Sequence, residues 1–199
     1  MQPKTFIFIS RSGAGKGTQA KLLKKLLEEK NGEGNVLYFE SGKCFREYVE
    51  DGSYSAKISK RIMDEGELQP SFLAVRGWAN YFVSCLNENS YLILDGSPRT
   101  LIKAQELDEA LNFYKRNAYV LYLNISREQA VERLSLRGRK DDVDINNINM
   151  RMDWFGEQVM PIVEFYKNGK THTFLDIDAS KTIEEIFDEI KQKINLENE

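Results

Sequence analysis

Five short apolar runs, separated by longer stretches with helical spacing, constrain the fold of this 199-residue chain more than any other feature. Nearly every position within the runs is apolar, which is typical of strands that are buried on both faces of a parallel sheet. Strands that alternate with helices predict one α/β domain, in which a parallel sheet is covered by helices. The runs comprise residues 6–9, 36–39, 91–94 and 118–123, with a weaker fifth at residues 173–177.

The helical stretches differ in how sharply the sequence defines them. Residues 20–30 follow the first run and place several leucines on one face. The last helix is the clearest, because Thr182 is a suitable N-cap and Glu185, three residues later, completes a capping box. Two stretches interrupt the alternation: residues 41–86 contain no strand pattern, and residues 137–146 are charged and poor in apolar side chains. We expect both to be insertions at the mouth of the sheet.

Composition excludes several classes of protein. With 41% apolar residues and a net charge of −3, the chain is too apolar and too weakly charged to be disordered. The balance of 28 Lys and Arg against 31 Asp and Glu argues against nucleic-acid or membrane partners. Cys44 and Cys85 are too few for a four-cysteine zinc site; one disulfide is possible, but we expect two buried free thiols in a reducing compartment. Since neither a signal peptide nor a membrane-spanning run is found, we expect a soluble cytoplasmic protein.

The strongest chemical signal is a glycine-rich loop between the first apolar run and the first helix. Residues 10–18 have the sequence SRSGAGKGT, in the strand–loop–helix context that a phosphate-binding loop requires. Its glycines allow backbone N–H groups to converge on an anion, and the helix N-terminus adds partial positive charge. Lys16 can reach the outer phosphates, although Ser10 stands where the usual pattern has glycine. The loop therefore predicts a P-loop NTPase-like fold, the alternative being an ordinary glycine-rich turn.

Together with this loop, a series of further motifs resembles the adenylate kinases, within the nucleoside monophosphate kinase family. The resemblance spans residues 5–194, with the motifs in family order. It implies a five-stranded parallel sheet, with a core of residues 1–40, 70–136 and 143–199. It also implies a monophosphate-binding insertion at about residues 41–69 and a short mobile lid at about residues 137–142. The motifs are GAGKGTQ at 13–19, SGKCFR at 41–46, GELQP at 66–70, DGSPRT at 95–100, residues 133–142 and 161–166, and DAS at 178–180.

The resemblance implies phosphoryl transfer from Mg-ATP to a nucleoside monophosphate, with AMP favoured, by a protein that works as a monomer. Lys16 would hold the outer donor phosphates and Thr18 the donor α-phosphate. Asp95 would orient magnesium-bound water, and the metal would be held largely through phosphate oxygens, because Gly17 replaces the metal-binding hydroxyl of other phosphate loops. No zinc is expected, since the lid has no cysteine. The implied ATP-binding set is Gly13, Ala14, Gly15, Lys16, Gly17, Thr18, Arg133 and Arg137.

On the acceptor side, the resemblance implies that Arg46 and Arg99 clamp the α-phosphate of the monophosphate. Arginine suits this task because its planar fork pairs two phosphate oxygens at once. Asp141 and Asp142 would position arginines in the closed state. The implied acceptor-binding set is Ser41, Arg46, Glu67, Leu68, Gln69, Gly96, Arg99, Lys103, Arg139 and Arg151. The implied catalytic set, which stabilises the charge of the transferring phosphoryl group, is Lys16, Arg99, Arg133, Arg139 and Arg151.

Lys103 is the most informative departure from the family pattern, because adenylate kinases place a glutamine there to hydrogen-bond the adenine edge. Lysine has three donors and no acceptor, so it cannot receive a hydrogen bond from the adenine amino group. It can donate to a carbonyl oxygen, as on uracil or guanine. We therefore expect relaxed or altered acceptor specificity, with AMP still favoured.

Two alternatives to an adenylate kinase remain open. One is a UMP/CMP or broad-specificity nucleoside monophosphate kinase, which Lys103 motivates. The other is a catalytically weak nucleotide-binding partner protein, motivated by Ser10, by Lys43 and Ser97 in place of the family's Asp and Phe, and by a lid in which only Gly138 separates two arginines. The retained phosphate clamps argue against this second alternative.

Overall fold

The structure is a computed structural model that describes residues 3–137 and 145–195. Five strands form one sheet in the order β2-β3-β1-β4-β5, and every pairing is parallel. The predicted α/β class and its five-stranded parallel sheet are thereby confirmed. The strands are β1 (Thr5–Ser10), β2 (Val36–Glu40), β3 (Tyr91–Asp95), β4 (Ala118–Asn124) and β5 (Thr173–Asp178).

Helices cover the sheet, and within the described ranges none is long and apolar enough to cross a membrane. Residues 41–86 are helical and contain no strand, as predicted. A π-helical segment, Phe155–Val159, joins α7 to α8. The helices are α1 (Lys16–Asn31), α2 (Ser41–Tyr48), α3 (Tyr54–Asp64), α4 (Ser71–Cys85), α5 (Leu101–Phe113), α6 (Arg127–Arg137), α7 (Ile145–Trp154), α8 (Met160–Asn168) and α9 (Ile183–Lys193).

The core lies on both faces of the sheet, which explains why the strands are apolar at nearly every position. Successive β1 side chains alternate between the two faces. Phe6 and Phe8 pack with α1 and α9, whereas Ile7 and Ile9 pack with α4, α5 and α8. All four are at most 2% exposed.

The last helix begins as predicted. The Thr182 hydroxyl accepts a hydrogen bond from the backbone N–H of Glu185 at 3.3 Å. The Glu185 carboxylate accepts one in return from the backbone N–H of Thr182 at 3.0 Å. This capping box satisfies N–H groups that would otherwise lack a partner at the helix end.

The strand order sets the place of the functional site. β1 lies between β3 and β4, so the connections after β1 and β3 diverge to opposite faces of the sheet. A ligand crevice forms at such a switch point, outside the carboxyl ends of parallel strands. The predicted phosphate loop leaves β1 at this point and leads into α1, which starts at Lys16.

Candidate active site

A cleft of about 1170 Å³ lies at the carboxyl ends of the strands. It brings together almost every residue predicted for the two nucleotide sites. Arg139, Asp141 and Asp142 lie outside the described residues, and so does the side chain of Arg137, which ends α6. The predicted residues that line the cleft are Gly13, Ala14, Gly15, Lys16, Gly17, Thr18, Ser41, Arg46, Glu67, Leu68, Gln69, Asp95, Gly96, Arg99, Lys103, Arg133 and Arg151.

The loop between β1 and α1 has the backbone geometry of an anion-binding turn. Gly13 and Gly15 adopt left-handed conformations, with φ of 90° and 82°. Gly15 is the N-cap of α1, and the first turn of that helix contains no acidic residue. At Gly13, a Cβ atom would lie only 2.5 Å from the backbone oxygen of Ala130 in α6. The loop thus presents backbone N–H groups and the positive end of a helix dipole to the cleft.

Asp95, at the end of β3, is the buried carboxylate at the centre of the cleft. It accepts hydrogen bonds from the Lys16 ammonium and from the Tyr38 hydroxyl, the latter at 2.7 Å. Burial by itself would raise the pKa of Asp95. The Lys16 charge, the two hydrogen bonds and the Arg99 charge outweigh burial, so this pKa lies below its usual value. Asp95 is therefore an ionised carboxylate at neutral pH.

The surroundings of Asp95 suit a magnesium ion that arrives with a nucleotide. A Cβ atom at position 17 would lie 3.3 Å from Asp95 Oδ2, so glycine leaves space beside that oxygen. Among the residues that the structure describes, no three His, Cys, Asp or Glu side chains are grouped to hold a metal. One ionised carboxylate beside open space fits an ion that is bound chiefly by phosphate oxygens and water.

The predicted acceptor clamps converge from two elements. The Arg46 guanidinium, on α2, donates to Glu40 at 2.7 Å and is largely exposed. Arg99 donates from Nε to the Gly96 carbonyl oxygen at 3.0 Å, and the Ser41 hydroxyl donates to the same oxygen at 2.7 Å. Burial lowers the pKa of Arg99; the Asp95 charge opposes this effect, and the like charge of Arg151 adds to it.

Lys103 is a buried cation on α5, with only 4% of its surface exposed. Its ammonium donates to the backbone oxygen of Gln69 at 2.8 Å. Burial, followed by the nearby Arg99 charge, lowers the pKa of Lys103 to about 8. The Gln69 side chain is fully engaged with Ser59, since its amide oxygen accepts from the hydroxyl and its nitrogen donates to the backbone oxygen. Lys103 therefore ties α5 to the segment between α3 and α4.

A smaller hollow of about 330 Å³ lies on the other side of the phosphate loop. It is bounded by Gly13 and Thr18, by Arg133 and by the first turn of α9. Arg133 lines both this hollow and the main cleft. Its guanidinium donates to the backbone oxygens of Ala179 and Ser180 at 2.8 and 3.2 Å. These bonds hold Arg133 where the two spaces meet.

Several residues of the cleft or its carboxylate were not singled out from the sequence, among them Arg11, Tyr38 and Trp154. Tyr38 lies in a predicted strand, but only the pairing of β2 with β3 brings it to Asp95. Trp154 follows Arg151 by three residues, and helical spacing could have placed the two on one face. Arg11 had the clearest signal, because it is a cation inside the phosphate loop.

Comparison with known proteins assigns the chain to a family. A family model described as adenylate kinase matches residues 8–171. The chain belongs to the adenylate kinase family. It is 33% identical to an adenylate kinase of Prochlorococcus marinus (strain MIT 9301) over 96% of this chain and 98% of that protein. It is 32% identical to one of Azobacteroides pseudotrichonymphae, over 92% and 93% of the two chains. Adenylate kinase 1 of Synechocystis sp. (strain PCC 6803) is 33% identical over 92% of each.

Family membership confirms the resemblance that the motifs indicated. In this adenylate kinase family member, the main cleft has the phosphate loop on one side and the Arg46 and Arg99 cations on the other. Lys16 and Asp95 lie between them. Two anions can therefore be held facing each other across an ionised carboxylate.

Proposed function

We propose that this protein catalyses reversible phosphoryl transfer from Mg-ATP to AMP, which yields two molecules of ADP. The observation that carries this proposal is the convergence, in one cleft, of a phosphate loop with a second set of cations from separate elements. One site serves a polyphosphate, and the other a monophosphate. The family and the names of the relatives, all adenylate kinases, support the same reaction.

The reaction needs positioning and charge more than acid–base chemistry. An oxygen of the acceptor phosphate attacks the donor γ-phosphorus, and the bond from that phosphorus to the bridging oxygen breaks. Negative charge spreads over the phosphoryl oxygens, so cations fixed around them lower the barrier. In the proposal, Lys16, Arg99, Arg133, Arg139 and Arg151 supply this charge, and no residue forms a covalent intermediate.

Magnesium bound to ATP neutralises charge on the donor phosphates. Asp95 is the residue of this chain that would hold its water, because its carboxylate is ionised and space is left beside Gly17. Thr18 and the loop N–H groups would bind the donor, and Ser41, Arg46 and Arg99 the acceptor phosphate. Glu67, Leu68, Gln69, Gly96 and Lys103 would surround the acceptor nucleoside.

Binding of two anions gives a physical reason for closure. The Arg151 charge acts unfavourably on Arg99, so these two cations of the cleft repel each other. Phosphates relieve this repulsion and favour a state in which water is excluded from the transfer. We propose that the insertion at residues 41–69 and the lid at residues 137–142 close over the rest of the chain. Arg137 and Arg139, positioned by Asp141 and Asp142, would then reach the donor and acceptor phosphates.

We further propose that the protein acts as a monomer in the cytoplasm. Cys44 and Cys85 are free thiols, which fits a reducing compartment. Cys44 is only partly buried and Cys85 is exposed, so the prediction that both thiols are buried is wrong. The residues proposed for both substrates come from a single chain. Sedimentation at assay concentrations tests this: a monomer with full activity is expected, and activity confined to a dimer would contradict it.

The direct test is a coupled assay with Mg-ATP against AMP, CMP, UMP, GMP and dTMP, each over a concentration range. AMP is expected to give the highest kcat/KM. Turnover with a pyrimidine monophosphate but not with AMP would overturn the substrate assignment. Measurable ATP binding without transfer to any acceptor would instead indicate a nucleotide-binding protein.

A further inference from the structure

Arg11 is the second residue of the phosphate loop, and its side chain lines the main cleft. Its guanidinium carbon lies 4.5 Å from the ring centroid of Phe155, in the π-helical segment. Phe155 is itself only 2% exposed, so the ring is a fixed surface. An arginine that faces an aromatic ring is attracted by the ring's negative face. Phe155 thus holds the Arg11 guanidinium against the wall of the cleft.

Some hydrogen-bonding capacity at this point is unused. Within residues 3–137 and 145–195, Arg11 Nε is buried without a hydrogen-bond partner, and so is the adjacent Ser10 hydroxyl. A buried donor on a charged group is costly to leave unpaired. Two neighbouring polar atoms in this condition, at the start of a phosphate loop, indicate a position that a ligand completes.

Five other cations of the cleft differ from Arg11 in this respect, because each has an acceptor inside the described part of the chain. The pairs are Lys16 with Asp95, Arg46 with Glu40, Arg99 with the Gly96 carbonyl, Lys103 with the Gln69 carbonyl, and Arg133 with the Ala179 carbonyl. For Arg11, the corresponding contact is with an aromatic ring, which leaves its N–H groups available to an anion.

The position of Arg11 favours the donor over the acceptor. The acceptor cations belong to α2 and to the turn after β3, on one side of β1. The Arg11 charge instead acts on Tyr122 in β4 and on Glu128 in the first turn of α6, on the other side. Arg11 also belongs to the same loop as the N–H groups that face the donor phosphates.

We propose that Arg11 binds the donor polyphosphate as a phosphate-contacting arginine carried by the loop itself. Its fork can pair two phosphate oxygens, which a lysine ammonium cannot do in the same plane. The short predicted lid, with only Gly138 between two arginines, gives such a residue a clear role. This inference rests on the proposed function, because ATP is the donor there.

The test compares Arg11→Ala and Arg11→Lys with a matched control, Arg127→Ala. Arg127, at the start of α6, is an arginine near this side of the cleft, but it is partly exposed and paired with Asp153. The measurements are the Kd for Mg-ATP by calorimetry, kcat and KM for both substrates, and Tm. Arg11→Ala should raise the Kd and KM for Mg-ATP by about tenfold to a hundredfold, while Tm and the AMP KM stay near the original values. Arg11→Lys should recover part of this loss, and the control should change each value by about twofold or less.

Two results would overturn the proposal. Mg-ATP binding by Arg11→Ala that equals binding by the Arg127→Ala control would show that Arg11 does not contact the donor. A lower Tm with equal losses for both substrates would show that Arg11 only packs on Phe155. Calorimetry separates this inference from the proposed function, because it measures Mg-ATP binding without requiring turnover. If the unaltered protein bound Mg-ATP but transferred no phosphoryl group, the proposed function would fail while the Arg11 inference could still be tested. If it failed to bind Mg-ATP at all, both proposals would fall.

Discussion

The two ends of the sheet each contain a partly buried arginine, and the two arginines differ in the hydrogen-bond acceptors that surround them. At the amino ends of the strands, Arg116 donates to the Thr5 hydroxyl at 2.9 Å and to the Pro3 backbone oxygen at 3.2 Å, and it also donates to the Ser90 backbone oxygen. At the carboxyl ends, Arg11 lies on an aromatic ring, with its buried Nε unpaired in the described structure. Burial alone therefore does not distinguish a structural arginine from a ligand-binding one. The presence or absence of hydrogen-bond acceptors around the guanidinium does.

The same contrast extends to neighbouring groups. At the amino end, the ring of His172 accepts a hydrogen bond from the backbone N–H of Ala118 at 3.1 Å, and Asp108 lies 2.7 Å from its other nitrogen. At the carboxyl end, Arg99 and Arg151 are like charges in one cleft. The chain supplies hydrogen-bond acceptors to the arginine at the amino end, whereas the carboxyl end gathers cations that suit anionic ligands.

The largest expected effect at the carboxyl end follows from Lys16→Met. Kcat should fall by about a hundredfold or more, because a cation facing the outer phosphates is lost. The protein should still unfold in one cooperative transition, since Asp95 keeps its Tyr38 and Arg99 partners. Steady-state kinetics and thermal unfolding test this. Near-normal turnover would show that the phosphate loop is wrongly assigned.

Arg99→Ala should have the next largest effect. Both kcat and acceptor binding should decrease, by about tenfold to a hundredfold, because the proposed clamp would position the attacking oxygen. The KM for Mg-ATP should hardly change. If instead the donor KM alone responded, the donor and acceptor sites would have to be exchanged.

Arg116→Ala tests the amino end of the sheet. It should lower stability and leave activity unchanged, the reverse of what is expected for Lys16→Met. It removes three hydrogen bonds and leaves their acceptors partly buried, which should lower the free energy of unfolding by about 2 kcal/mol. Kcat and both KM values should remain within about twofold, because Arg116 is far from the cleft in the fold. Urea unfolding of this variant, with Arg127→Ala at a more exposed arginine as its control, measures the effect. A fall in kcat without a loss of stability would break the distinction between the two ends.

Lys103 should give the smallest effect, on acceptor choice. Lys103→Gln should raise kcat/KM for AMP relative to UMP and GMP, by about tenfold or less, because glutamine can accept from the adenine amino group and lysine cannot. The assay with five acceptors measures this ratio. An unchanged ranking would show that Lys103 has no part in base choice.

The lowered pKa of Lys103 adds a pH dependence with a definite sign. Its pKa is about 8 in the folded protein and 10.5 ordinarily, so the unfolded chain holds more protons between those values. Stability contributed by this group is therefore lowest below pH 8 and rises with pH up to about 10.5. Urea unfolding across this range should show that the unaltered protein gains stability relative to Lys103→Gln as the pH rises. A difference between the two proteins that does not change with pH would show that Lys103 makes no such contribution.

The sheet was predictable because its signal is local. All five strands agree with their runs to within one or two residues. The first four runs are apolar throughout, as expected for strands covered on both faces, whereas the fifth contains Asp176 and forms a partly exposed strand. The capping box of Thr182 and Glu185 was likewise visible as a short spacing. The phosphate loop was predictable for the same reason, because its glycines and Lys16 lie close together in the sequence between a strand and a helix.

The remaining features depend on residues that are far apart in the sequence. Tyr38 meets Asp95 across 57 positions, and only the strand order decides that contact. Lys103 was predicted to face a base, but not to donate to the Gln69 backbone, because side-chain spacing says nothing about a carbonyl on another element. The roles predicted for Arg139, Asp141 and Asp142 remain predictions.

The close approach of Gly13 to α6 has a consequence for how this sequence can change over time. With φ at 90° and a Cβ position 2.5 Å from the Ala130 oxygen, no other amino acid fits there without moving the backbone. This constraint is steric and does not depend on phosphate binding. Substitutions can therefore alter the predicted lid, or the residues proposed to surround the base, while the spacing between the loop and α6 stays unchanged.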